Sequence, residues 1–367
     1  MTLRVRRPRS IFSAALIGVV LAAPTAVHAQ RPPAPAATIT AAAGDDLDAI
    51  NARYLDDLTA LETRRLQQID ALAQKLTGAQ QVEAYAALFQ GALASGIYGP
   101  AEPAAERLIR DGHTDPGLLY LASLVNILAE IERGDYDNAL ASLKAAVQAG
   151  KKPDADGEPV GLVTLPRDTR LMVAETCYQR LVQADQFDIA KQAFALIARE
   201  SPDEAIRTYA ANRLRRLEMI GTPAPPFEGR DIDGQPFRLA DTRGDVVLLV
   251  FWASWCIPCG PEADHLVAVL RAYKQRGLRV VGVNLDAMHD PDESPAALEA
   301  SVRRFLVDHH VGFPNLLNAA QGNPDIAAAY GITDIPANVL IDRNGNIAHI
   351  DLTASNLEPV LKRTLGQ

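Results

Sequence analysis

The chain has 367 residues, 48% hydrophobic and 22% charged, so it can bury a sizeable core and is longer than one ordinary domain. Its formal charge of −9 at pH 7 argues against nucleic acid and anionic membrane as partners. Three cysteines are too few, and odd in number, for a disulfide framework; their sparse use fits a catalytic pair.

Arg4, Arg6, Arg7 and Arg9 precede an apolar segment over 11–23, and Val27-His28-Ala29 then offers small residues for cleavage. That layout predicts a secretory signal peptide over 1–29, removed after Ala29. A retained anchor is the competing reading, but the apolar segment is too short to span a bilayer and Pro24 follows it. Removal takes the formal charge from −9 to −13 and leaves no segment expected to insert stably in a membrane. Residues 30–44 are rich in Pro and Ala and read as an extended tether.

Residues 45–218 read as all-helical. Leu47, Ile50, Tyr54, Leu58 and Leu61 keep a helical period, which Leu66, Ile69, Leu72 and Leu76 continue. Helix pairs are expected over 120–133 and 138–149, and over 170–182 and 189–199. At the junctions an aromatic is followed three residues later by an alanine: Tyr98 and Ala101, Tyr136 and Ala139, Phe187 and Ala190. The alanine permits close helix approach. The pattern resembles degenerate tetratricopeptide-like hairpins, and an irregular helical bundle fits it equally. Cys177 falls in a helical stretch, where a buried small hydrophobe is the default and a redox relay the alternative.

Helical periodicity stops at Gly221-Thr222-Pro223-Ala224-Pro225-Pro226-Phe227. Asp233-Gly234 predicts a hairpin turn between strands at 230–232 and 237–239. The run Val246-Val247-Leu248-Leu249-Val250-Phe251-Trp252 is short, β-branched and bounded by Arg243-Gly244-Asp245, as a buried central strand would be. Leu266, Val269, Leu270 and Tyr273 make one stripe of a helix over 262–273. A strand at 278–285, helices at 297–310 and 324–330, strands at 337–341 and 347–352, and a helix at 357–365 complete an α/β sandwich around a mixed sheet. His289, His309, His310 and the acids from Asp286 to Glu293 read as surface loop and helix-end residues without metal geometry. The stretch 290–295 reads as a loop near the active-site end that could shape partner choice.

Between the central strand and the helix stands Cys256-Ile257-Pro258-Cys259. A first thiol at such a handover lies beside unpaired backbone N–H groups and the positive end of the helix dipole, which favour thiolate. The second lies about one turn on, close enough to close a small disulfide ring. A zinc half-site is the competing reading, but no paired Cys or His motif supplies further ligands. No cofactor and no metal are expected. Trp255 is expected to present a docking face and Trp252 to sit in the core.

With these residues in hand, 221–367 resembles the TlpA/ResA-like branch of the thioredoxin superfamily, exported thiol–disulfide oxidoreductases. The Gly-x-x-Ala-Pro-x-Phe stretch at Gly221 and Asp233-Gly234 come in the family's order, followed by the Phe251-to-Cys256 approach. Glu262 after Cys259, then Gly331-Ile332-Thr333-Asp334-Ile335-Pro336 before a strand and an Asp-x-x-Gly turn, complete it. The resemblance implies a thioredoxin-like domain over 219–367 and no need of a cofactor. It also implies a cis bond before Pro336, which would face the cysteines and let the backbone of Ile335 pair with a bound polypeptide. It makes Cys256 the attacking thiolate, Cys259 the resolving thiol and Glu262 an active-site carboxyl; a helix first-turn carboxylate is the plainer reading of Glu262. Ala337-Asn338 stand where the family often has Thr, and Val250 stands where thioredoxin keeps a buried Asp. Thiol-peroxidase relatives carry Pro-x-x-x-Thr-x-x-Cys, but Ala253 stands three before Cys256.

The function expected is reduction of protein disulfides outside the cytoplasm. Its partners would be a client protein with a disulfide or dithiol and an upstream electron donor, with no nucleic acid. The alternative is a helical-repeat interaction protein that uses its thioredoxin-like domain as a docking module.

Overall fold

The computed structural model describes residues 47–154, 156–289 and 294–366. The expected signal peptide, the tether and most of the 290–295 loop lie outside the described residues. Residues 1–54 and 55–367 form two compact units. Of the first, only the opening turns of a helix are described.

Among the described residues, the regular elements up to Met219 are all helices: α1 (Leu47–Ala73), α2 (Gly78–Ser95), α3 (Glu102–Arg110), α4 (Pro116–Arg133), α5 (Tyr136–Gly150), α6 (Val160–Val163), α7 (Arg167–Gln183), α8 (Phe187–Glu200) and α9 (Glu204–Met219). Helix α4 begins four residues before its expected start. The Asp115 carboxylate accepts from the Leu118 N–H at 2.7 Å and Pro116 occupies the first turn. Gly134 ends it in the left-handed region with φ of 81°. Ala101, Ala139 and Ala190 are all buried, and α4 packs on α5 as α8 packs on α9. Leu66 and Ala73 of α1 are buried, whereas Leu58, Leu61 and Leu72 are exposed. Among the described residues no helix is long and apolar enough to cross a membrane.

Strands and helices then alternate: β1 (Glu228–Arg230), β2 (Pro236–Arg238), β3 (Val246–Trp252), α10 (Cys259–Tyr273), β4 (Leu278–Asn284), α11 (Asp286–His289), α12 (Pro295–Asp308), β5 (Asn315–Leu317), α13 (Ile326–Ala329), β6 (Ala337–Ile341), β7 (Ile347–Ile350) and α14 (Ala354–Leu365). The main sheet has the order β5-β4-β3-β6-β7. Strand β3 runs parallel to β4 and antiparallel to β6, so the sheet is mixed as expected. The β1–β2 hairpin is shifted from its expected place. The Asp231 carboxylate accepts from the N–H groups of Asp233 and Gln235 at 3.0 and 2.8 Å, which draws 231–235 into the turn and ends the first strand at Arg230. The short helix expected over 324–330 is reduced to α13, capped by Asp325 on the Ala328 N–H at 2.9 Å.

Alternation along β3 sorts its side chains onto two faces. Val246, Leu248 and Val250 pack with Leu266 and Val269 of α10 and Leu357 and Leu361 of α14. Val247, Leu249 and Phe251 join a second cluster that runs on through Tyr178, Phe194 and Leu217 of the helical region. The two regions therefore share one core. At the same seam, Gly221 N–H donates to the Ile347 carbonyl and Ile347 N–H to that of Thr222.

Candidate active site

Strand β3 carries the chain to Trp252 at the sheet's end, and α10 begins at Cys259. The loop between them is held by a residue that the sequence reading placed on the surface. Asp286 is 2% exposed; its carboxylate accepts from the Ser254 N–H at 2.7 Å, the Ser254 hydroxyl at 2.5 Å and the Asn284 amide at 3.0 Å. The end of β4 thus pins the approach to the first cysteine, and Asp286 is corrected from a loop acid to a buried anchor. Trp252 is core, as expected: it stacks on Phe305 at 4.3 Å and donates to Asn315 at 2.9 Å. Gly282 makes that possible, since a Cβ there would run into Asn315.

Cys256 and Cys259 are joined in a disulfide with S–S of 2.03 Å and a Cα separation of 5.4 Å. Both are buried, while the neighbouring Trp255 and Ile257 are 48% and 81% exposed. Covered sulfurs flanked by projecting apolar side chains form a face that a protein can sit on. Trp255 also stacks against His289 at 4.5 Å. His309, expected at the surface, is three-quarters covered. It contacts Phe305, pairs through Nδ1 with Asp264 at 2.9 Å, and lines a cleft of about 440 Å³ with Cys256 and Ser254.

On the other side, the Ile335–Pro336 bond is cis. Ile335 packs against the cluster that holds both cysteines. Neither its N–H nor its carbonyl bonds to another described residue. Pro336, Ile335 and Glu262 share a second cleft of about 590 Å³. Val250, Cys259 and Glu262 line one small cavity, so an apolar residue on β3 faces a carboxyl on α10. Burial pushes the Glu262 carboxyl up to about 7; the Asn338 amide opposes this, and the Asp351 charge adds to it. Asn338 explains the departure after the proline. Its amide reaches Glu262 at 3.5 Å, donates to the Leu352 carbonyl at 2.7 Å and accepts from the Leu352 N–H at 2.8 Å.

Cys177 stands apart. It is free and buried, with its thiol pushed up to about 12 by burial. Among the described residues no group of His, Cys, Asp or Glu could hold a metal.

The sheet order, the cis proline loop and the cysteine pair at the strand–helix junction define a thioredoxin-like domain with a redox-active dithiol. Residues 220–350 match the AhpC/TSA family. The chain is 30% identical over 147 residues to the thiol-disulfide oxidoreductase ResA of Bacillus thuringiensis strain Al Hakam, covering 39% of this chain and 78% of that relative. It is 30% identical over 131 residues to ResA of Geobacillus thermodenitrificans, covering 36% and 68%. A solved structure of a thioredoxin-family thiol:disulfide interchange protein from Chlorobium tepidum is 27% identical. It covers 40% of this chain and 97% of its own, with a TM-score of 0.33. The chain belongs to the family of ResA thiol-disulfide oxidoreductases.

Proposed function

We propose that the chain is an exported reductase of protein disulfides, with Cys256 as nucleophile and Cys259 as resolving thiol. In the reduced protein, the Cys256 thiolate attacks one sulfur of a client disulfide. A Cys256–client mixed disulfide forms and the other client sulfur leaves as thiolate. Cys259 passes its proton to Glu262 and attacks Cys256. The second client sulfur is released, and the Cys256–Cys259 disulfide remains. Two electrons pass from the pair to the client, and an upstream dithiol donor must restore them.

The observation that carries this reading is the disulfide-bonded pair next to a half-buried carboxyl on the same cavity as Cys259. A carboxyl raised to about 7 can take and return a proton at neutral pH, which an ordinary exposed one cannot. Val250 leaves Glu262 to do what a buried strand carboxylate would otherwise do. Trp255, Ile335 and Pro336 form the client contact: the exposed indole offers apolar area, and the unpaired Ile335 backbone offers a strand-like edge. Export rests on the Arg4-to-Ala29 pattern.

Equilibration of the full mature chain in glutathione buffers tests the direction. A potential near about −270 mV supports the reductase, and one near about −120 mV rules it out. Cys259→Ala should trap client mixed disulfides on Cys256; absence of any such adduct would remove the mechanism.

A further inference from the structure

The loop that ends in the cis proline is gripped from outside its own domain. Arg213 of α9 forks onto the Asp334 carboxylate, Nη1 to Oδ1 at 3.0 Å and Nη2 to Oδ2 at 2.7 Å. Arg216, one turn further along, reaches the same carboxylate at 3.1 Å and Asp351 at 2.9 Å. The Arg213 guanidinium is held before it meets the loop. Arg213 donates to Glu175 of α7 at 2.7 Å and to the Tyr209 hydroxyl at 3.0 Å. It lies 4.9 Å over the rings of Tyr178 and Tyr209. The side chains of Arg213 and Arg216 are 7% and 1% exposed, whereas that of Asp334 is 48% exposed. Asp334 would therefore be a solvated loop carboxylate if α9 did not reach it. A planar fork on a carboxylate fixes direction as well as distance.

Asp334 immediately precedes Ile335, whose backbone groups are unpaired. The cleft beside them is closed on its far side by Glu175 and Gln179 of α7 and by Arg213. We propose that the helical region is part of the client site. Arg213 and Arg216 are positioning residues that hold the Asp334–Pro336 loop in the shape that receives an extended polypeptide, and Glu175 and Gln179 form the facing wall. This rests on the oxidoreductase reading, and it gives the helical region a share in choosing the client. Holding the loop in advance lowers the ordering cost of binding a flexible chain. A small disulfide that needs no backbone pairing gains nothing from it.

The test uses the full mature chain, reduced with dithiothreitol and freed of it, with Arg213→Gln, Asp334→Asn and the double variant. Two oxidants are compared: a synthetic peptide closed by one internal disulfide, and dithiobis(nitrobenzoate). Each single variant should raise the peptide concentration that half-saturates the single-turnover rate about tenfold, the scale of one charge-assisted hydrogen-bonded pair. The rate with the small disulfide should hold, and the double variant should be no worse than Asp334→Asn alone. Equal losses on both disulfides, or additive losses in the double variant, would overturn the clamp. Should Arg213→Gln fail to fold, Asp334→Asn alone decides, because Glu175 and Asp351 still pair with the two guanidinium groups it leaves behind. Hydrogen exchange across 331–338 gives a readout free of turnover. Faster exchange confined to that segment in Asp334→Asn supports the proposal, and unchanged exchange sinks it. If the unsubstituted chain reduces neither disulfide, the oxidoreductase reading falls, while the exchange result still decides the clamp.

Discussion

The two sides of the cysteine pair are built from different materials. The cleft at Cys256 and His309 is walled entirely by the thioredoxin-like domain, with Gly260 leaving room for the His309 ring. The cleft at Glu262 and Pro336 has domain residues on one wall and Glu175, Gln179 and Arg213 of the helical region on the other. Chemistry common to the family can be carried by the first kind of wall. The second kind can differ in each chain that carries a different companion region.

Removing the nucleophile separates chemistry from docking most sharply. Cys256→Ala should lower turnover of any disulfide by more than about a thousandfold, since Cys259 alone has no partner thiol with which to resolve a mixed disulfide. Retained cellular function with intact client binding would make the chain a docking protein instead. Glu262→Gln should slow reduction at pH 7 by about a hundredfold. Full activity in that variant would reduce Glu262 to a helix-end charge.

The same carboxyl shapes stability. Its folded value of about 7 lies above the ordinary 4.5, so burial penalises the ionised form. The contribution of this carboxyl is fully present below about 4.5 and is lost as pH rises through 7. Glu262→Gln should flatten that slope and leave the variant more stable at pH 8, by on the order of 2–3 kcal/mol. Denaturant melts at pH 4, 6 and 8 check both sign and size; a variant less stable at pH 8 would contradict the burial argument.

On the opposite wall, His309→Gln should slow the reaction less than Glu262→Gln does at pH 7, because Asp264 and His309 sit beside a partly open cleft. The reverse order, read from stopped-flow rates, would move the proton chemistry to the Cys256 side. Cys177→Ala should leave all rates within about twofold and cost roughly 1–2 kcal/mol of stability for the lost packing. A shift in the pair's potential would revive the relay.

Local features were the legible ones. Strands β3 and β6 fall on their expected residues because a bounded, β-branched apolar run has no other comfortable place. The cysteine pair, the cis proline and the exposed Trp255 came from contiguous motifs. Asp286 was misplaced because an acid after a strand looks the same whether it caps a loop or faces water. The pairing of Arg213 with Asp334 spans 121 residues, and no periodicity carries information across that distance. Asn338 could be seen as a departure from the family's pattern, but its bond to Leu352 depends on the register of β6 against β7.

The apolar seam where α9 meets β7 sets a practical boundary on how this molecule can be handled. A fragment starting near Gly221 keeps Tyr330 against Phe251 but loses α9, and with it the helical part of the shared cluster that Ile347 and Ile350 belong to. Such a truncated piece should be less soluble through its bared β7 edge, so activity lost on excision would report poor solubility before a missing catalytic part. Engineering a different specificity is better done by surface exchanges on α7 than by grafting one half onto another carrier.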